Sequence, residues 1–189
     1  FREIADKLLD DRFSTDLTGT AREFVDSSSS LMWVFVLALV LIYLVLSAQF
    51  ESFMSPVIIL LTVPLALCGA LITLWFFNQT LNIFSQIGLI MLIGLITKNG
   101  ILIVEFANQR YEAGALSRLA AVQEAARARL RPILMTTLAT VLGILPIALA
   151  SGAGSESRFS MGVGVIGGLL FGAALTLFVI PAMYALFHR

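Results

Sequence analysis

Gly94-Leu-Ile-Thr-Lys98-Asn99-Gly100-Ile-Leu-Ile-Val-Glu105 sets a single lysine in the middle of a segment otherwise fit only for lipid. From Ser52 to Thr97 no residue carries a charge, and from Gly100 to Val104 none does again. A lysine at bilayer depth costs about 2.5 to 3.5 kcal/mol on insertion scales, so it persists where a partner or a water-filled cavity receives it. Lys98 is therefore a candidate functional residue. The reading set against it is a lysine that only snorkels to the interface, but it lies ten or more residues from either end of its apolar span.

The rest of the composition agrees with a lipid environment. Of 189 residues 59% are hydrophobic and 13% charged, and mean hydropathy is +0.96, which describes an integral membrane protein. Twelve basic and twelve acidic residues cancel, so nothing in the balance points to nucleic acid. The lone cysteine, Cys68, has no partner for an intrachain disulfide and is expected to pack as a small apolar residue. A start at Phe1 with no signal peptide before the first apolar run reads as a cut end.

Five apolar segments each approach or exceed the 18 to 20 residues a helix needs to cross about 30 Å of hydrocarbon. They fall at about 29–49, 53–77, 83–108, 132–151 and 160–187, which predicts an all-α membrane protein. Residues 1–28 alone have soluble character, with helical spacing at Ile4, Ala5, Leu8 and Leu9 and strand-like alternation from Phe13 to Leu17. They read as the tail of a water-exposed domain with a lead-in helix. Pro64 predicts a kink inside the second span, and Trp33, Tyr43, Trp75 and Tyr184 are expected at headgroup level.

Loop charge orients the chain. Gln109 to Arg131 carries five arginines (Arg110, Arg118, Arg127, Arg129 and Arg131), whereas the turn from Asn78 to Asn82 is uncharged. The arginine-rich loop is expected in the cytoplasm, which puts the amino-terminal part on the opposite side and the carboxy terminus inside. Within that loop Leu116, Leu119, Ala120, Val122, Ala126 and Leu130 form an apolar stripe, predicting an amphipathic helix over about 115–130 that lies on the membrane or packs one face against the protein.

Around Lys98, Met91, Gly94, Leu95, Ile101, Leu102 and Glu105 lie at same-face offsets, and Asn99 adds a polar group at the same depth. Glu105 is about 10 Å away along the helix, too far for a tight ion pair, so a partner is expected on another helix. In the fourth span Thr136, Thr137 and Thr140 place three hydroxyls in the first half, Thr136 and Thr140 are one turn apart, and Arg129 lies two turns before Thr136. Threonines in membrane helices often bond only their own backbone. Together with a facing lysine they suggest a proton or ion pathway. Gly164, Gly168 and Gly172 recur every four residues and predict close helix packing. The six methionines are dispersed and form no soft-metal cluster, and no nucleophile triad or phosphate loop is present, so no metal or cofactor and no enzymatic chemistry is assigned.

The words Ala48-Gln-Phe-Glu-Ser52, Val63-Pro64-Leu65, Gly94 to Ala107 around the lysine, Arg129-Leu-Arg-Pro-Ile-Leu-Met-Thr136, Gly143-Ile-Leu-Pro146, Gly152-Ala-Gly154, Val165-Ile-Gly-Gly168 and Phe178-Val-Ile-Pro181 resemble the resistance-nodulation-division efflux permeases, in their hydrophobe/amphiphile multidrug branch. The resemblance runs from end to end. It implies the eighth to twelfth of twelve membrane helices, in a proton-driven exporter of the bacterial inner membrane with a periplasmic amino-terminal segment. By position Lys98 resembles the lysine that pairs with two aspartates in the other half of the permease, and Arg129 and Thr136, with Asn99 beside the lysine, its proton relay. Thr140 and Glu105 would be supporting polar residues. The partners implied are that missing half, lipid, and a homotrimer with a periplasmic adaptor and an outer-membrane channel, with the proton gradient as energy source. A metal, lipid or protein-translocation relative, or a non-transporting scaffold, stays open from the residues alone.

Overall fold

In the computed structural model, which describes residues 20–114, 117–152 and 154–187, the chain is all helix, and no strand occurs among the described residues. The alternation at Phe13 to Leu17, the helical spacing before it and Leu116 lie outside the described residues. The helices are α1 (Thr20–Phe50), α2 (Met54–Leu60), α3 (Thr62–Phe76), α4 (Ile83–Glu112), α5 (Arg118–Ala148) and α6 (Ser155–Phe187). Among the described residues five segments are long and apolar enough to cross a membrane: Ser30–Phe50, Met54–Phe76, Ile83–Glu112, Leu119–Ala148 and Ser155–Tyr184.

The second of these is two helices, because Pro64 interrupts it. Proline has no N–H for the carbonyl of Leu60 and its ring crowds that oxygen, so the ladder opens at Leu61. Thr62 Oγ1 donates to the Ile59 carbonyl at 2.6 Å beside the break. Pro132 has no such effect. The stretch read as a surface helix and the span read as starting at residue 132 form one continuous α5, since the strong helix formers Ala, Arg and Leu flank the proline and carry the helix through a single missing bond. Its inward face also differs from the predicted stripe. Ala121, Val122 and Ala125 are buried, whereas Leu119 and Leu130 are 43% and 44% exposed.

α6 is the axis of the bundle, packed against α3, α4 and α5, while among the described helices α1 touches only α2 and α4. Only 6% of the apolar window of α1 and 11% of that of α5 is buried, against about half in α4 and α6, so α1 and α5 flank a packed layer of α3, α4 and α6. In lipid the hydrophobic effect does not drive helices together, and close packing of small residues does so instead. A Cβ on Gly167 would run into Thr73, one on Gly168 into Leu92 and the carbonyl of Ala66, and one on Gly172 into Ile96 and Ala66, so the backbone of α6 itself forms the contact surface.

Tyr184, the last residue of its apolar span, is 5% exposed and its hydroxyl shares a 3.3 Å hydrogen bond with Ser55 at the start of another span, so its ring packs within the protein. One expected position is corrected here. Cys68 is exposed on the outside of α3, because the inward side of that helix is taken by Ala66, Gly69 and Ala70.

The start of α4 is fixed by Asn82. Its Oδ1 accepts from Ser85 N at 2.8 Å, its backbone N–H donates to Ser85 Oγ at 2.8 Å, and its Nδ2 donates to Ser160 Oγ on α6 at 2.7 Å. One residue thus caps α4 and ties it to α6. Asn82→Ala is expected to lose about 1 to 2 kcal/mol in reversible detergent denaturation, and Asn82→Asp, which keeps the cap acceptor but not the amide donor, about half of that.

Candidate functional site

Lys98 stands halfway along α4, about 20 Å of helix rise from each end. Its side chain is exposed, and so are Ile87, Met91, Gly94 and Glu105 on the same face. Nothing lies within 4 Å of a Cβ built on Gly94. This strip of α4 is therefore uncovered along several turns. Lys98 makes no hydrogen bond or ion pair with any described residue, and Glu105, seven residues on along an unbroken helix, is about 10.5 Å away by rise.

Asn99, although next in sequence, does not share this face. A step of about 100° turns it into the packed interior, where it is 4% exposed beside the buried Ile96, Gly100 and Ile103. Gly100 makes that packing possible, since a Cβ there would come to 2.9 Å from Ile59. The two glycines beside the lysine thus differ: Gly100 meets a neighbour, and Gly94 opens outward.

On α5, Thr136 is exposed and Thr140 half-buried. Thr136 Oγ1 donates to the Ile133 carbonyl at 3.1 Å and Thr140 Oγ1 to the Thr136 carbonyl at 2.8 Å, so each spends its proton on its own helix and keeps oxygen lone pairs free. Neither is hydrogen-bonded to Lys98. Thr137, between them, is 4% exposed and its Oγ1 is buried without a partner among the described residues. Sequence spacing singles out its neighbours because they share a face with Arg129, and it gives no sign that Thr137 is the hydroxyl turned inward.

Arg129 is half-buried two turns before Thr136, and its guanidinium Cζ lies 4.8 Å from the ring centroid of Phe106 on α4. Arg110 approaches the same ring at 5.2 Å and pairs with Glu124 on α5 at 3.4 Å. That ion pair joins two side chains 49% and 42% exposed, so it contributes little by itself. Phe106 escapes a reading of the sequence, because a ring on one helix under a cation on another is set by tertiary packing. Below it two cavities of about 230 and 270 Å³ open at the arginine-bearing end and share Phe50, Asn108 and Glu112. The second is also lined by Glu51 and Glu105, so polar space reaches the lower end of the uncovered α4 strip.

Gly164, Gly168 and Gly172 lie away from these groups, at the contacts of α6 with Leu74, Leu92 and Ile96. The arrangement thus consists of an uncovered lysine strip, inward and outward hydroxyls on the adjacent helix, and a ring-seated arginine at one end.

Residues 2–188 match the model of the AcrB/AcrD/AcrF family. An uncharacterized transporter of Haemophilus influenzae is 46% identical over 179 residues, covering 92% of this chain. The chain spans 17% of the length of that relative.

Proposed function

From the premise that this chain belongs to the AcrB/AcrD/AcrF family of resistance-nodulation-division permeases, we propose that it works within a proton-driven exporter of hydrophobic or amphiphilic compounds, with Lys98 at the centre of the proton relay. Membership makes it a membrane transporter component, and the multidrug and proton-coupled parts are our reading. The observation that carries this reading is the lysine itself: a basic side chain halfway along an apolar helix long enough to span a membrane, on an uncovered strip, with no partner among the described residues. Such a charge calls for carboxylates on a further helix, an aspartate pair in the remaining part of the permease, seated where Gly94 leaves room.

The relay works as follows. With both carboxylates ionised, Lys98 is attracted to them. Protonation of one removes that attraction, and the lysine side chain swings along the strip toward another acceptor. Because the two positions favour different helix arrangements, proton binding shifts the balance between them and drives export. Arg129 at the arginine-bearing end offers N–H donors that hold water at the mouth of the pathway, Thr136 and Thr140 line it with oxygen lone pairs, and Asn99 supports the lysine helix from within. In this reading the arginine-bearing end faces the cytoplasm of a bacterium and the amino-terminal segment the periplasm. The permease assembles as a homotrimer with a periplasmic adaptor and an outer-membrane channel, and the proton gradient is its energy source with no bound cofactor.

The test is proton coupling in vesicles of known orientation. In proteoliposomes holding the permease that carries this chain, an imposed pH gradient is expected to drive movement of an amphiphilic dye, with proton flux in the opposite direction reported by a trapped pH indicator. For scale, each proton crossing 100 mV contributes about 2.3 kcal/mol beyond the pH term. Dye movement that proceeds at equal pH and follows an imposed sodium gradient instead would overturn proton drive.

A further inference from the structure

We infer that Phe106 is a positioning residue for Arg129, a seat that ties the arginine to the helix bearing Lys98. The inference rests on the reading of Arg129 as part of the relay. An arginine at a membrane boundary ordinarily pairs with a carboxylate in a two-point hydrogen bond. Here the nearby carboxylate Glu124 is engaged by Arg110 at 3.4 Å. Arg129 instead rests its guanidinium 4.8 Å from the Phe106 centroid, and its Nε is buried without a hydrogen-bond partner among the described residues. The ring's quadrupole attracts the cation without using any of its N–H groups. The terminal N–H groups, which hold no hydrogen bond to a described residue, therefore remain available to a passing water or carboxylate, which a salt bridge would have occupied, while Nε is enclosed by the packing.

The seat is firm because the ring is held from behind. Phe106 packs against the core that contains Val104, Ala107, Val122, Ala125 and Ile133, residues of both α4 and α5. It also lies eight residues after Lys98 on the same unbroken helix. A shift or rotation of α4 that accompanies the lysine's swing moves the ring by the same amount, and with it the preferred position of the Arg129 guanidinium on α5. Phe106 thus provides a mechanical link between the lysine in mid-membrane and the arginine at the mouth, with no hydrogen bond between them.

The experiment compares substitutions by their π face and by their volume, measuring pH-gradient-driven dye export in proteoliposomes and normalising to the amount of intact permease. Phe106→Leu and Phe106→Met fill the site but remove the π face, and each is expected to lower the export rate roughly 2- to 30-fold. Phe106→Trp and Phe106→Tyr keep it and are expected to retain at least half. A residue that only fills space would give the reverse order, because leucine and methionine are tolerated in packed sites and added bulk or a hydroxyl is not. Leucine and methionine variants as active as tryptophan and tyrosine, or more so, overturn the seat. Arg129→Gln in the same assay separates the two claims: full export by that variant overturns the relay role of Arg129, whereas loss of export by it together with an active Phe106→Leu leaves the relay standing and removes only Phe106 from it.

Discussion

Lys98→Ala is expected to bring proton-coupled export to background, a fall of at least about 100-fold, while the five-helix segment stays folded. Both halves of that result follow from where the side chain is. It touches no described residue by hydrogen bond or ion pair, and its neighbours on the strip, Met91, Gly94 and Glu105, are exposed as well, so truncation leaves no cavity in the packed layer. It also removes a charge whose insertion costs about 2.5 to 3.5 kcal/mol, so the segment loses nothing in stability. What the variant lacks is the cation for which the remaining part of the permease supplies carboxylates. Leaving a buried charge without its partner costs about 3 to 5 kcal/mol, which at 1.4 kcal/mol per factor of ten is on the order of 100- to 1,000-fold or more in the population of the competent state.

A second substitution separates charge from proton transfer. Lys98→Arg keeps the positive charge but cannot give up its proton in a protein. If the lysine acts only as a counter-charge that swings, the arginine variant exports at a measurable rate. If Lys98 itself releases a proton during the cycle, it is as inactive as alanine. The measurements are dye export and proton counterflow, with gel filtration and limited proteolysis to confirm assembly. Unchanged export by Lys98→Ala would sink the relay assignment outright.

How far the residues alone lead differs from one part of the molecule to another. Lipid imposes a length and an apolarity on anything that spans it, so the five segments were legible as runs. Pro64 was legible as an interruption because its missing N–H is a local fact. Pro132 shows the limit: the same residue type lets α5 continue, since the outcome depends on the flanking helix formers and on the packing of Ala121, Val122 and Ala125. Lys98 stands out by its isolation in an uncharged run, but the direction in which it points does not. Asn99 shares its depth but turns the other way, because in a helix adjacent residues diverge by about 100°. The seat of Arg129 on Phe106 and the inward hydroxyl of Thr137 are tertiary facts with no trace in spacing.

The second large effect belongs to the glycines of α6, and there the prediction is loss of the fold. Gly168→Val is expected to leave little or no intact protein in the membrane, and Gly168→Ala to lower stability by about 1 to 3 kcal/mol, the usual range for overpacking. A Cβ at this position would collide with Leu92 of α4 and come to 3.0 Å from both the carbonyl oxygen of Ala66 and Cβ of Ala70 on α3. Leu92 is flexible and can rotate, but the Ala66 carbonyl is backbone and cannot yield unless α3 moves. Since α3, α4 and α6 form the packed layer, such a movement would loosen all three contacts together. In a membrane no gain in burial compensates, because the lipid tails are as apolar as the residues they would replace.

The control lies on the outward surface, where Gly143 on α5 and Gly94 on α4 have nothing within 4 Å of a built Cβ. Gly143→Ala is expected to be neutral or slightly stabilising, by up to about 1 kcal/mol, because alanine restricts the unfolded chain. Gly94→Ala is expected to behave likewise within this chain, whereas Gly94→Leu in the assembled permease is expected to impair export if a further helix covers the lysine strip. Thermal stability in detergent and the amount of protein recovered from membranes measure the first set. If Gly168→Val accumulates and melts like the parent, the close contact of α6 with α3 and α4 is wrong, and with it the layer that holds the Lys98 strip facing outward.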